Sequence, residues 1–252
     1  MPSTLLHRLE AVIFDMDGVV TETATVHAAA WKRLFDDYLR ARSWRTGEPF
    51  TPFDAGTDYL AHVDGRNRYD GVHGFLASRG ITLPWGDPSD PPMAETVCGL
   101  GNRKDELFRR RLAEDGAHAY PSTVALIHDL RSAGVRTGLV TASRNAEEVL
   151  AAAGVGGLFD ARVDGRDGAR LELPGKPDPA MFLEAARRLG TTPARSAGVE
   201  DALSGVAAGR GGGFAVVVGV ARSASPDALR DAGADVVVTD LAELAEQPLQ
   251  HL

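Results

Sequence analysis

The chain has 252 residues, 44% hydrophobic and 25% charged, which suits a soluble globular protein with one large domain or a main domain carrying an insert. A formal net charge of −8 works against nucleic acid and anionic membrane as partners, because both would repel it. The single cysteine, Cys98, excludes an internal disulfide and fits a reducing cytoplasm; residues 1–12 lack an apolar core of signal-peptide length, and no run of about 18 apolar residues suggests a membrane span.

In chain order, the first apolar run is "AVIF" (11–14), followed at once by "DMDGVV". Residues 22–118 then break any strand rhythm. "TATVHAAAWKRLFDDYLRAR" (23–42) sets Trp31, Leu34, Phe35, Tyr38 and Leu39 at helical spacing. Two Pro/Gly-rich stretches follow, 46–56 and 83–92, with Phe50, Phe53 and Trp85 as apolar anchors that predict ordered loops; helical pieces are expected near 69–79 and 102–115. After residue 119 short valine-rich runs return, at 137–141, 196–200, 214–220 and 234–239, of a length that favours strands buried on both faces. Helices are predicted between them, near 122–133, 145–153, 177–189, 202–209 and 226–232. "SPDALRDAG" (225–233) carries the start and stop signals: Ser225 to cap, Pro226 at the first helical position and Gly233 at the exit. "RGGGFAV" (210–216) reads as a helix exit into a strand rather than a phosphate loop, since no helix start follows it. This alternation predicts an α/β fold, a Rossmann-like doubly wound parallel sheet formed by 1–21 and 119–252, with a helical domain, 22–118, inserted after the first strand.

Ligands of an open parallel sheet bind outside the carboxyl ends of its strands. At those ends this sequence puts Asp15 and Asp17, then Thr141, Ser143 and Asn145 from "VTASRN", then Glu200 and Asp201 from "VEDALSG"; Lys176 stands in "GKPDP" before a helix. A lone Asp-x-Asp can be a strand running out into a polar loop, and "VED" a solvated helix start. Together, in this order, they suggest four carboxylates, a lysine and a hydroxyl cluster around one crevice. Mutual repulsion among the acids calls for a hard divalent cation such as Mg²⁺, which prefers oxygen ligands and substrate phosphate. Thr141, Ser143, Lys176 and backbone N–H groups suit phosphate oxygens. Asp15 can act as a nucleophile toward phosphorus, and Asp17, two residues on and so on the same side of a strand, can pass a proton to or from the substrate oxygen. The histidines at 7, 62, 73, 118, 128 and 251 show no zinc-ligand spacing.

The ordered set "DMDGV", "TAS", "GKPDP" and "VEDALSG" resembles the haloacid dehalogenase superfamily, in its β-phosphoglucomutase-like branch. The resemblance covers the first twenty residues and most of 120–240. It implies Asp15 as nucleophile, Asp17 as general acid/base, Thr141 as the phosphate-binding hydroxyl, and Lys176 tying phosphate to nucleophile. It implies Mg²⁺ held by the Asp15 carboxylate, the Asp17 carbonyl and Asp201, with Glu200 close by. In the insert, "TETATVHAAAWK" (21–32) is similar to that branch's hinge and first cap helix, which makes Thr23, His27 and Trp31 substrate-side residues. "DGRNR" (64–68) makes Arg68 the expected distal-phosphate clamp, "GNRKDELF" (101–108) makes Lys104 a sugar-side candidate, and Ser143, Arg144 and Asn145 match a further substrate-phosphate feature. The insert is longer than the branch's compact cap at 44–60 and 83–95, and Asp64 stands where a basic residue is usual.

The implied activity is a Mg²⁺-dependent phosphosugar mutase, β-glucose 1-phosphate to glucose 6-phosphate, through an aspartyl-phosphate. The rival readings are a phosphatase on the same scaffold, where water is the acceptor, and a non-catalytic binding module. The partner expected is a small phosphorylated sugar. No apolar stripe suits an interface, so a monomer is expected.

Overall fold

The structure is a computed structural model and describes residues 5–245. Residues 1–4 and His251, which entered the leader and zinc readings, lie outside that range. The chain divides into two compact units, one of residues up to Glu22 together with those from Ala117 on, the other Thr23–Gly116.

The first unit is built on six parallel strands: β1 (Ala11–Asp15), β2 (Arg136–Val140), β3 (Ala161–Val163), β4 (Ser196–Glu200), β5 (Val216–Val220) and β6 (Val236–Val238). Their order is β3-β2-β1-β4-β5-β6. β1, β4 and β5 are buried along their whole length, which is why they read as unbroken apolar runs rather than alternating ones. Register sets Asp15 opposite Val140 of β2 and Phe14 opposite Val199 of β4. The strand order reverses between β1 and β4, so their carboxyl ends flank the crevice where such sheets bind ligands.

The helices of this unit are α4 (Pro121–Ser132), α5 (Ala146–Ala152), α6 (Gly165–Arg170), α7 (Ala180–Arg188), α8 (Leu203–Gly211) and α9 (Pro226–Asp231). α7 packs on β1, β2 and β3, and α8 on β4 and β5. Ser225 caps α9 through Ala228 N at 3.2 Å with Pro226 in the first turn, and the chain leaves through Gly233 at φ 111°. β3 and α6 escaped the sequence reading. β3 is three residues with a half-buried arginine at its centre, and α6 is six residues whose start is fixed by a capping box between Asp164 and Asp167.

The second unit holds α1 (Ala24–Thr46), α2 (Arg68–Ser78) and α3 (Val97–Asp115), a π-helical turn at Tyr59–Val63, and no strand. α1 runs a turn beyond its expected end because nothing breaks it before Gly47, which closes it in the left-handed region at φ 77°. Asn67 caps α2 through Tyr69 N and Asp70 N, and Thr96 caps α3 through Gly99 N. The core is aromatic: Phe35 lies 5.2 Å from Trp31, 5.2 Å from Phe53 and 4.1 Å from Phe75, centroid to centroid.

Of the three loop anchors expected, only Phe53 is buried. Its N–H donates to Asp36 Oδ1 at 2.8 Å and its carbonyl accepts from Lys32 Nζ at 2.9 Å, so α1 grips the loop at both backbone groups. Phe50 and Trp85 are exposed by 36% and 48%, Phe50 under the Arg40 guanidinium and Trp85 beside His73. The loop at 83–96 is held by backbone bonds instead, Val97 N to Pro84 O and Cys98 N to Trp85 O, both 2.9 Å.

Candidate active site

β1 ends at Asp15, delivering its carboxylate from a fully apolar strand to the sheet's carboxyl edge. The chain then turns: Val20 N and Thr21 N both donate to Met16 O, at 2.9 and 2.8 Å, and Gly18 N donates to Thr21 O at 2.8 Å. Asp17 therefore lies in this turn, bridged to Thr21, and not on the strand; the pleat argument for placing it beside Asp15 does not apply. What directs it is Thr141, at the end of β2, whose Oγ1 donates to Asp17 Oδ2 at 3.3 Å. Gly18 sits at φ 92°, and a Cβ there would lie 1.9 Å from Asp201 Oδ2, so both backbone conformation and space demand glycine.

β4 ends at Glu200, with Asp201 next. The two are 1% and 4% exposed, not a solvated helix start. Glu200 Oε2 accepts from Ala202 N at 3.3 Å, and a Cβ on Gly205 would meet its carboxyl at 2.0 Å. Gly205, the last residue of "VEDALSG", is thus part of the site; sequence reasoning left it out because a glycine inside a helical pattern gives no sign of what it faces.

Lys176 lies in the turn before α7, preceding a cis peptide to Pro177. Its Nζ donates to Asp15 Oδ1 at 2.5 Å and also to Glu200 Oε1. Burial alone would discharge this ammonium, but the charges of Asp15 and Glu200 outweigh that and hold its pKa above the usual lysine value. Asp15 is pushed well above the usual carboxylate range, first by burial and then by the charge of Glu200, with Lys176 only partly opposing them.

Asp15, Glu200 and Asp201 each present an oxygen within 4.8 Å of the others. Three buried carboxylates against one ammonium leave negative charge uncompensated. An all-oxygen donor set with that excess fits a hard divalent cation.

Around Thr141 the loop is held by its own hydroxyls. Ser143 N donates to Thr141 Oγ1 at 3.0 Å, and Asn145 N to Ser143 Oγ at 3.2 Å, which fixes the "TASRN" loop as α5 begins. Asn145 is buried, and Arg144 is half-buried with its stem against Gly165.

The remaining expected residues cluster within the helical unit. His27 Nδ1 and Lys104 Nζ are 2.5 Å apart, and the His27 ring stacks on Phe108 at 4.0 Å. Lys104, only 5% exposed, holds its ammonium 5.0 Å from the Trp31 ring and 5.2 Å from Phe108. Trp31 itself is a core residue, 3% exposed and stacked on Phe35; it supports Lys104 from beneath. Thr23 is buried just before α1, its carbonyl accepting from His27 N at 2.9 Å. Arg68 is ion-paired to Asp105 at 3.0 Å, and Asp105 also holds Arg109 at 3.0 Å. Asp105, buried at the centre of that pairing, was missed: in "NRKDE" it reads as one charge among several on a helix.

A buried acid cluster fit for a divalent cation, an ammonium and a hydroxyl-lined loop at the switch point of a parallel sheet define a phosphoryl-transfer enzyme of the α/β class. The chain belongs to the haloacid dehalogenase-like hydrolase family, whose model matches residues 9–213. It is 49% identical over 243 residues to a β-phosphoglucomutase of Mycobacterium bovis, covering 95% of this chain and 93% of that one. It is 30% identical over 244 residues to a β-phosphoglucomutase of Bacillus subtilis, covering 96% and 95%. The crystal structure of a β-phosphoglucomutase from Clostridium difficile superposes with a TM-score of 0.73 at 26% identity, over 94% of this chain and 93% of that one. No helix among the described residues is long and apolar enough to cross a membrane.

Proposed function

We propose that this chain is a Mg²⁺-dependent phosphosugar mutase that converts β-glucose 1-phosphate to glucose 6-phosphate through an aspartyl-phosphate at Asp15. The observation that carries the reading is the buried Asp15–Lys176 pair at 2.5 Å beside Glu200 and Asp201, in a chain that aligns over nearly its full length with the β-phosphoglucomutases of Mycobacterium bovis and Bacillus subtilis.

Phosphorylated Asp15 gives its phosphoryl group to the 6-hydroxyl of the substrate. The Asp15 oxygen–phosphorus bond breaks as the new ester bond forms, and Asp17 takes the hydroxyl proton. The product is a sugar bisphosphate. Once it has turned, an Asp15 oxygen attacks the phosphorus at the 1-position, and Asp17 returns the proton to the departing anomeric oxygen. Asp15 is then phosphorylated again and glucose 6-phosphate is free to leave. Thr141 orients Asp17 through the 3.3 Å hydrogen bond and, with the "TASRN" loop, offers donors to the phosphoryl oxygens. Lys176 keeps charge on Asp15 from repelling an incoming phosphate. Mg²⁺ would be held by Asp15, the Asp17 carbonyl and Asp201 with Glu200 adjacent, and would supply neutralisation of the phosphate charge when bound. The second phosphate needs a cationic site of its own, and Arg68 and Lys104 of the helical unit are assigned to it.

The test is incubation with β-glucose 1-phosphate, Mg²⁺ and a trace of the glucose bisphosphate, followed by assay of glucose 6-phosphate against free phosphate. Glucose 6-phosphate as main product is expected. Free phosphate alone would make the chain a phosphatase, and neither product would end the glucose assignment.

A further inference from the structure

The turn that follows Asp15 is tied down at three consecutive carbonyls. Val20 O accepts from Tyr120 N at 3.0 Å and Val19 O from Thr123 Oγ1 at 2.7 Å, both at the start of α4. Gly18 O accepts from Arg222 Nε at 3.3 Å, across 204 positions of sequence. Arg222 stands two residues beyond β5, at the same carboxyl edge of the sheet. Its guanidinium is held in place from several sides. It lies over the Tyr120 ring at 3.9 Å, its Nη1 donates to Thr239 O at 3.0 Å, and its Nη2 is buried without a hydrogen-bond partner, 3.8 Å from Asp240 Oδ2. Asp240 in turn accepts from Ser122 Oγ at 3.0 Å. Ring, carbonyl and carboxylate thus set the plane of the arginine before it reaches Gly18.

Gly18 is the residue whose missing Cβ leaves room for the Asp201 carboxylate, and it directly follows Asp17. We infer that Arg222 is a positioning residue for phosphoryl transfer, holding the Asp17–Gly18 turn against Asp201. The inference rests on the phosphoryl-transfer reading of the site. It assigns Arg222 no contact with substrate. A carbonyl at a sheet edge can be satisfied by water, so an arginine anchored at three other points is required only if the position of that carbonyl matters. Lysine cannot replace it fully, because an ammonium lacks the planar fork that stacks on Tyr120 and donates in two directions at once.

The experiment compares the wild-type chain with Arg222→Gln and Arg222→Lys. It measures kcat and KM on β-glucose 1-phosphate and on p-nitrophenyl phosphate, and amide hydrogen exchange of the protein without substrate. Arg222→Gln is expected to lower kcat on both substrates by about 10- to 100-fold with KM within about twofold, as misplacement of a reacting group does. Exchange at Gly18, Val20 and Thr21 is expected to quicken about tenfold or more while β1 and β4 amides keep their protection. Arg222→Lys is expected to recover part of kcat. The inference is overturned if kcat stays within about twofold in both variants, or if exchange rises equally across β1 and β4, the mark of general destabilisation. Should the glutamine variant not fold, the lysine variant is judged by the same criteria. A wild-type chain that hydrolyses p-nitrophenyl phosphate but forms no glucose 6-phosphate overturns the mutase reading alone, and Arg222 is then judged on hydrolysis. If neither substrate turns over, the exchange rates decide the tether.

Discussion

The two units bury charge in different balance, and by different means. The α/β unit gathers three carboxylates around one ammonium, an excess of negative charge that invites a metal cation. The helical unit buries Lys104 over the faces of Trp31 and Phe108, and sets Arg68 against a single buried acid. Their cores differ too. One is a stack of short aliphatic strands; the other is an aromatic cluster drawn from α1, α2 and the loop at Phe53. Charge excess in the first unit comes from residues adjacent to strand ends, whereas the charges of the second stand on α2 and α3.

The sharpest way to break this comparison is at the acidic centre. Asp15→Asn keeps size and removes the nucleophile, so turnover is expected to fall by about 10³-fold or more. Activity within about tenfold of wild type would contradict covalent catalysis. Lys176→Met leaves the acids uncompensated. In chelator it is expected to cost about 3–5 kcal/mol of unfolding free energy, and added Mg²⁺ is expected to recover part of it. Urea denaturation with and without the cation measures both. A variant equally stable in the two conditions would show that the acids do not draw a metal.

In the aromatic core, Phe75→Ala is expected to cost about 3–5 kcal/mol, because Phe75 is fully buried and its ring lies 4.1 Å from Phe35 and 4.9 Å from Phe53. In the aliphatic sheet, Ile13→Val removes one methylene and is expected to cost only about 0.5–1.5 kcal/mol. Equal losses, read from denaturation midpoints, would erase the distinction between the two cores.

A further effect of the same modest size concerns charge at the surface of the α/β unit. Arg188 holds Asp167 at 2.9 Å and Glu184 at 2.8 Å. Its hydrogen bond to Asp167 is the main reason that carboxyl lies well below its ordinary value. Glu184 is brought down to about 2 by Arg187 first and Arg188 second. Both folded-state values are depressed, so the stabilisation is complete above the ordinary values of 3.8 and 4.5 and is lost as pH falls from there toward 2 and below. Arg188→Gln is therefore expected to cost about 1–2 kcal/mol at neutral pH, with the gap to wild type narrowing as the carboxyls protonate. An unchanged gap near pH 2.5, about two units below the ordinary glutamate value, would remove the network from the stability balance.

Much of the α/β unit was legible because β1, β4 and β5 are short, wholly buried runs and Asp15, Asp17, Thr141, Glu200 and Asp201 sit within two positions of a strand end. β3 was not legible, since three residues with a central arginine carry no period. In the helical unit the long helices showed through their spacing, yet Phe50, Phe53 and Trp85 looked alike in sequence and only Phe53 is buried. The difference lies in Lys32 and Asp36 of α1, which grip both backbone groups of Phe53.

The sequence by itself determined the strand-end acids and the hydroxyl loop, because local order along the chain dictates which residues leave a buried strand first. Tertiary structure alone decided that Asp17 sits in a turn directed by Thr141, that Lys176 divides its charge between Asp15 and Glu200, and that Asp105 neutralises Arg68. These are pairings between residues 24 to 161 positions apart, and they follow from which strand ends and helix faces are brought together, not from any pattern along the chain.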